Sequence, residues 1–488
     1  METAAYDVCF PKFAGLSPGA GLIHRQNPQT FAGLPASPVG GRESSLIVLA
    51  IIALGHMRRS AGRLLLAVFL TAGCGLASAS GGADGTGAFA TGHYRNLFAE
   101  AGHSQPVIQA KVDAAFQQLF HGDPAGQAVY FAAGTNANGP LAYITDINHH
   151  DVRTEGLSYG MMIAVQMNRP AEFNALWNWS KTYLYHSSPT HPSYGFFSWE
   201  AKTNGETLSE YVAPDGESYY VMALYFAANR WGSGAGIYNY GEAARQLLVN
   251  LRHRAVIRGL MTMVHRGTNV VSLVTAGPLF DGAHRMVLFS PSSDRAAFTD
   301  PSYHLPAFYE LWARWGPPAD RDFWLSAATA SRDFFPRAAW PATGLTPDYA
   351  NFNGTPVTNG WNRGAANFRF DACRTAANWS VDWSWWGKDP RERGLSDTVQ
   401  AFFASQGMDT YGCQFTLDGK SLDPRHAEGL VAENAVASLA ATDPRARDFV
   451  AALWNTPTPA GQERYYEGLL YLMALLHCSG EFRIWLPQ

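Results

Sequence analysis

Charge is scarce in this chain: Asp, Glu, Lys and Arg make up only 16% of 488 residues, and the net charge is −4. There is no basic block and no Arg/Lys stripe, which argues against nucleic acid as a partner. Cysteine is scarcer still. Of the five, Cys373, Cys413 and Cys478 fall in the body of the chain, an odd number at wide spacing that makes neither a disulfide framework nor a metal motif. Buried free thiols are the expected state. Also missing are a Gly-rich phosphate loop, an HExxH zinc motif, a nucleophile elbow and a strict internal repeat. Their absence sets aside nucleotide-binding, zinc-protease and serine-hydrolase readings and a solenoid. No cofactor and no metal are expected. Strand patterns are few, near 141–146, 272–275 and 285–289.

What is abundant is apolar and aromatic. Nearly half the residues are apolar, and aromatics reach 13%, with 15 Trp and 21 Tyr. Aromatics dominate cores; the same rings also make platforms for flat ligands such as sugars.

The N-terminal region reads as a targeting segment. Residues 46–55, LIVLAIIALG, are too short to span a bilayer as a helix. From Met57 a basic stretch (Arg58, Arg59, Arg63), an apolar run (Leu64 to Leu70) and small residues at Ala77, Ser78 and Ala79 have the layout of a secretory signal. The expectation is a true start at Met57, an export signal region over 1–79, a Gly/Ala/Ser-rich linker over 80–92 and one domain over 93–488, delivered to the periplasm or secreted. The stretch LTAGC around Cys74 faintly suggests lipoprotein anchoring, but Thr71 stands where an aliphatic residue belongs. The mature chain carries no membrane-spanning segment.

Apolar residues recur at helical spacing through the rest of the chain. This predicts helices at about 105–120, 157–168, 172–185, 216–230, 240–253, 303–314, 321–335, 372–386, 393–406, 428–441, 446–455 and 460–477. In the sixth, Asp300 or Thr299 is the expected cap, with Pro301 in the first turn. A dozen helices and little strand predict one all-α domain, and paired helices with long loops fit an α/α toroid.

Three carboxylates stand out by context. Glu155 lies in DVRTEGLSYGMMIAVQ, at the mouth of a helix that reads as fully buried, where Glu is seldom found unpaired. Asp215 lies in a Pro-Asp-Gly turn opening an aromatic helix, where it can also serve as an N-cap. Asp371 lies in FRFDACRTAANWSVDWSWW between Arg369 and Arg374. Singly, each has a structural reading as a cap or an ion pair. Together, in aromatic and charge-poor surroundings, they have the makings of glycosidic hydrolysis. That reaction needs two carboxyls of opposite protonation at one pH, one to protonate the leaving oxygen and one to activate water or attack carbon.

DVRTEGLSYGMMIAVQ, APDGESYY, DPSYHLPAFYELW and FRFDACRTAANWSVDWSWW together resemble glycoside hydrolase family eight, and within it the reducing-end xylose-releasing exo-oligoxylanases. The resemblance runs from about residue 93 to the C-terminus, with every landmark in the family's order. It implies an (α/α)₆ barrel and an inverting mechanism on xylo-oligosaccharides. Glu155 then matches the general acid and Asp371 the general base. Asp215 matches the aspartate that holds the distorted sugar, Tyr303 the tyrosine that positions the attacking water, and Arg374 an arginine of the same subsite. Arg153 is expected near the acid, with Asp151 offsetting its charge, and Gly156 to ease the backbone turn there. Burial is expected to raise the acid's pKa toward working pH. The exo subgroup blocks its leaving-group side with a histidine-bearing loop. The matching segment is GKSLDPRHAEGLVAENAVASLA, with His426 or a neighbour in that role. An open loop implies an endo-β-1,4-xylanase or endoglucanase instead.

Overall fold

The computed structural model describes residues 85–293, 295–360 and 362–488. Among them, twelve helices have nine residues or more: α1 Gln105–His121, α2 Thr154–Gln166, α3 Pro170–Tyr183, α4 Pro214–Trp231, α5 Tyr240–His253, α6 Pro306–Trp315, α7 Arg321–Ala338, α8 Arg374–Trp386, α9 Arg391–Ser405, α10 Glu428–Val436, α11 Ala446–Asn455 and α12 Tyr466–Cys478. Each of the twelve stretches expected from periodicity overlaps one of them.

Two kinds of helix alternate along the chain. α5 buries only Tyr240, Ala244, Leu247, Leu248 and Leu251, a single stripe at helical spacing. α11 does the same with Phe449, Val450 and Leu453. By contrast, every residue of α2 is buried, and α12 is buried except at Tyr466 and His477. The buried helices meet one another: α2 packs on α4 and α12, α12 on α10, α10 on α8, and α8 on α6. The amphipathic helices cover them from outside in chain order, α3 on α2, α5 on α4, α7 on α6, α9 on α8 and α11 on α10. Buried helices of this sort draw their stability from packing rather than from propensity.

Strand is more extensive than the sequence suggests. β1 (Tyr130–Asn136) and β2 (Gly139–Ile144) form a hairpin. β3 (Asp151–Arg153), β4 (Glu200–Lys202), β5 (Thr207–Ser209), β6 (Ile257–His265) and β7 (Thr268–Ala276) form an antiparallel sheet in that order. Three of these strands have only three residues, too few for alternation to register. The sheet matters to the site because β3 runs directly into α2, fixing where Glu155 begins.

Two further boundaries differ from expectation. The expected helix at 303–314 is a 3₁₀ turn, Pro301–Tyr303, followed by α6. Leu305 precedes Pro306 and is pushed out of the helical region by it, so the helix starts at the proline. Asp300 caps the short turn, accepting from Ser302 N at 2.7 Å. The expected linker at 80–92 ends in packed structure. Thr86 N–H donates to the Trp386 carbonyl at 3.1 Å, and Phe89 stacks on the Trp386 ring at 4.5 Å. The expected signal and Cys74 lie outside the described residues. No described helix is long and apolar enough to cross a membrane. Cys373, Cys413 and Cys478 are free thiols.

Candidate active site

Glu155 and Asp215 occupy the first turns of α2 and α4, and Asp371 lies in a 3₁₀ turn, Phe370–Cys373, that leads into α8. All three are at most 4% exposed. An oxygen of each lies within 4.8 Å of the others, although the residues are far apart in the chain.

Arg374, in the first turn of α8, holds the three together. Its Nη1 donates to Glu155 Oε1 at 2.5 Å, to Asp215 Oδ2 at 3.2 Å and to the Tyr159 hydroxyl. Its Nη2 donates to Ser302 Oγ at 3.0 Å and pairs with Asp371 Oδ2 at 3.0 Å. Tyr303 lies beside it, with the guanidinium 5.9 Å from its ring centroid. The structure thus brings together Glu155, Asp215, Tyr303, Asp371 and Arg374.

Arg153 lies at the β3–α2 junction, two residues before the acid. Its Nε donates to Asp151 Oδ1 at 2.9 Å, its Nη1 pairs with Asp146 Oδ2 at 3.2 Å, and it pairs in strand register with Glu200. It thereby anchors the strand that leads into the acid's helix. Asp151 offsets it as expected, and Asp146 adds to that. Gly156 also has a different reason from the expected turn. It is helical, and a Cβ there would lie 2.7 Å from the Tyr465 ring. Its missing side chain lets that ring approach the acid's helix.

Asp215 does not cap α4. Its Oδ1 accepts from Gly216 N at 2.8 Å, and its pKa is raised by burial, against the pull of Arg374 and with a push from Asp371. Around Asp371 stand two more buried carboxyls, Asp300 and Asp348, both held well above the ordinary range by burial and by Asp371 itself. The backbone before Asp371 is strained: Phe370 has φ 43°, left-handed for a non-glycine residue.

Sequence reasoning missed Ser302 and the role of Tyr159 as partners of Arg374, and also Asn378, whose Nδ2 holds the Ser302 carbonyl at 2.7 Å. Ser302 directly precedes Tyr303 in DPSYHL, which was the one available signal.

Among the described residues, two clusters have the residue types to hold a cation. In the carboxylate trio Arg374 already supplies the positive charge. In the other, His186, His191 and Glu210 bring atoms within 4.8 Å. There His191 Nδ1 accepts the Ser193 N–H at 3.0 Å, which puts the ring proton on Nε2, the atom facing Glu210 at 3.5 Å. The two imidazoles lie parallel, 4.1 Å apart, so their lone pairs do not converge. That cluster is a hydrogen-bonded stack, not a ligand set.

A dry site with one guanidinium, three carboxylates and a tyrosine at hand has the parts for acid–base hydrolysis of a sugar linkage. Residues 135–480 match Glycosyl hydrolases family 8, and the chain belongs to that family. It is 40% identical over 403 residues, 82% of this chain and 99% of the other, to a protein named reducing-end xylose-releasing exo-oligoxylanase Rex8A from Paenibacillus barcinonensis. It is likewise 40% identical to a reducing-end xylose-releasing exo-oligoxylanase of Halalkalibacterium halodurans, covering 82% of this chain and 97% of that one. Among solved structures, a family 8 xylobiose complex from Teredinibacter turnerae superposes with a TM-score of 0.79 at 53% identity, covering 82% of this chain and all of the other. The protein is a glycoside hydrolase.

Proposed function

We propose that the protein hydrolyses xylo-oligosaccharides, releasing xylose from the reducing end with inversion. The observation that carries this is the Arg374-centred trio of Glu155, Asp215 and Asp371 in a chain 40% identical to two proteins named for that activity. Glu155 is the general acid that protonates the glycosidic oxygen. Asp371 is the base that takes a proton from the attacking water, which Tyr303 helps to place. Asp215 and Arg374 hold the sugar between them. The alternating buried and covering helices fit closure into an (α/α)₆ barrel, with these residues gathered at one end. Residues 1–79 serve export, and the remainder works outside the cytoplasm.

Inversion rests on family membership. Oxygens of the three carboxyls lie within 4.8 Å of one another; a carboxyl separation of about 5–5.5 Å belongs to retaining enzymes and one of about 6.5–9.5 Å to inverting ones. Arg374 bonds Glu155 Oε1 and Asp371 Oδ2, so the oxygens it holds need not be the ones offered to sugar and water. The first-formed anomer, read by proton NMR before mutarotation, decides between the two.

On the leaving-group side, His426 is exposed, its Nδ1 on the Tyr411 carbonyl at 2.9 Å. Its neighbour Arg425 instead lines a cavity shared with Phe370 and Cys373, and its Nη2 lies 3.0 Å from Asp423 Oδ2 and 3.4 Å from Cys413 Sγ. Arg425 is thus the better placed of the two to close the cleft beside the base. Endo action is the second reading. It is favoured by one relative, a Teredinibacter turnerae family 8 xylanase mutant in complex with xylohexaose, 52% identical to this chain. Incubation with xylotriose and with polymeric xylan separates them. Xylose plus a shortened oligomer supports exo action, and mid-chain fragments from polymer overturn it.

A further inference from the structure

A cavity of about 30 Å³ lies against Arg374, but Glu155, Asp215 and Asp371 take no part in its wall. Helices α2, α4, α6, α8, α10 and α12 all contribute to it, so it sits where the buried helices converge, against the guanidinium. Its polar lining is Tyr159, Tyr219, Asn378, His477 and Glu433, with Arg374 itself, and Glu433 is its only carboxyl. The volume has room for about two water molecules.

Two observations give those waters partners. Arg374 directs Nη1 and Nη2 to the catalytic side, but its Nε–H is buried with no hydrogen-bond partner. Glu433, on α10, is 5% exposed. A buried donor left without a partner is destabilising, and a water between Nε–H and the Glu433 carboxyl satisfies both.

Few other charges compete. His477, from α12, is pushed down to about 3 by burial, so its ring is neutral. Tyr219 from α4, Tyr159 from α2, Cys373 from the turn before α8 and Cys478 from α12 are all pushed up by burial. Arg374 is the one opposite charge acting on Glu433, and burial outweighs it, lifting the carboxyl to about 8.

We propose that Glu433 is a positioning residue for the hydrolysis: through water in this cavity it holds Arg374 and so sets how strongly the guanidinium acts on Glu155. The inference rests on Glu155 being the acid. Below pH 8 the Glu433 carboxyl is neutral and simply anchors Nε–H. Above pH 8 it ionises, and a like charge disfavours ionisation of a neighbouring carboxyl. Glu155 then keeps its proton to higher pH, which stretches the alkaline limb of the rate profile.

The test is the pH profile of kcat/KM between pH 5 and 9.5 for the wild type, Glu433→Gln and Glu433→Met. Each is measured on xylotriose and on an aryl xylobioside whose leaving group needs no protonation. Glu433→Gln should overlay the wild type on xylotriose up to about pH 7 and fall short by about threefold to tenfold at pH 9, the effect of roughly half to one pK unit on the acid. On the aryl substrate the two should coincide throughout. Glu433→Met, which fills the site without a polar atom, should lose about tenfold in kcat on xylotriose at every pH with KM within threefold. Superimposable profiles for Glu433→Gln and wild type, or equal losses on both substrates, overturn the proposal. If Glu433→Met does not fold, the Glu433→Gln profile decides alone. If xylotriose is not cleaved, the substrate reading fails, and the same comparison is made on whichever β-1,4-glycan the enzyme cuts.

Discussion

Arg332 and Arg374 are both buried and both ringed by carboxylates, yet they are wired differently. All three guanidinium nitrogens of Arg332 are engaged. Nε and Nη2 grip Asp382 at 2.6 and 2.9 Å, and Nη1 reaches Glu310 at 2.8 Å. Lys388 and Arg314 reach the same Glu310 at 2.8 and 2.9 Å. Burial and the neighbouring Asp382 raise the pKa of the adjacent Glu392 well above the ordinary range. Cations there match or exceed the ionised carboxylates, so the network is a lock. At Arg374 one guanidinium faces three carboxylates, and its Nε–H is left over. Three buried carboxylates on one cation cannot all ionise cheaply. A proton is therefore held in that cluster, as acid catalysis requires, and the same imbalance that weakens it as a structural element makes it chemical.

The largest effects should come from breaking the catalytic side. Glu155→Gln keeps the shape but cannot donate a proton, so turnover of xylotriose should fall by about 10²–10⁴-fold with KM little changed. An aryl xylobioside with a good leaving group should be spared, and near wild-type turnover on xylotriose would remove Glu155 from the acid's role. Asp371→Asn should be as damaging with water as nucleophile, and azide should partly restore it, giving a glycosyl azide of inverted configuration. A β-xyloside that yields the β-anomer first would instead make Asp371 a nucleophile.

Arg332→Leu sharpens the contrast from the other side. Removing one partner of a buried ion network leaves charges uncompensated at a cost of about 3–5 kcal/mol. Denaturant unfolding should show that loss, while the enzyme that remains folded keeps its kcat and pH profile. A changed profile would mean that the two clusters are coupled.

A smaller effect concerns Glu467, whose pKa burial raises to about 7. The folded state then binds more protons than the unfolded one between about pH 4.5 and 7, so this residue's contribution to stability falls as pH rises through that window. Glu467→Gln should raise the unfolding free energy at pH 8 by on the order of 3 kcal/mol at most, and leave it unchanged near pH 4. An equal gain at both pH values would assign the effect to packing.

The helices were legible because long amphipathic or apolar stretches carry their own period, and the site because four motifs sit at helix starts with acidic residues in apolar company. What stayed hidden depends on convergence in space. Nothing in the sequence says that Ser302 and Tyr159 share Arg374, or that Asp300 and Asp348 stand near Asp371. The partners of Arg153 were hidden for the same reason: two residues from Glu155 in the chain, it belongs to β3, whose partner strand brings it Glu200. The start of α6 was a local error, settled by the effect of Pro306 on Leu305.

Glu155, Asp215 and the Asp371–Arg374 turn all lie at the beginnings of helices, so the first turns of α2, α4 and α8 meet at one place. Each helix start carries the equivalent of roughly +0.5 charge from its aligned peptide dipoles. Three of them supply about +1.5, set against a side-chain balance of −2 when all three carboxylates are ionised beside Arg374. The backbone thus makes up most of the missing cation without adding a second side chain to the floor of the cleft. The remainder on these four side chains amounts to less than one charge. That field is fixed by the fold and survives any substitution that leaves the three helix starts in place.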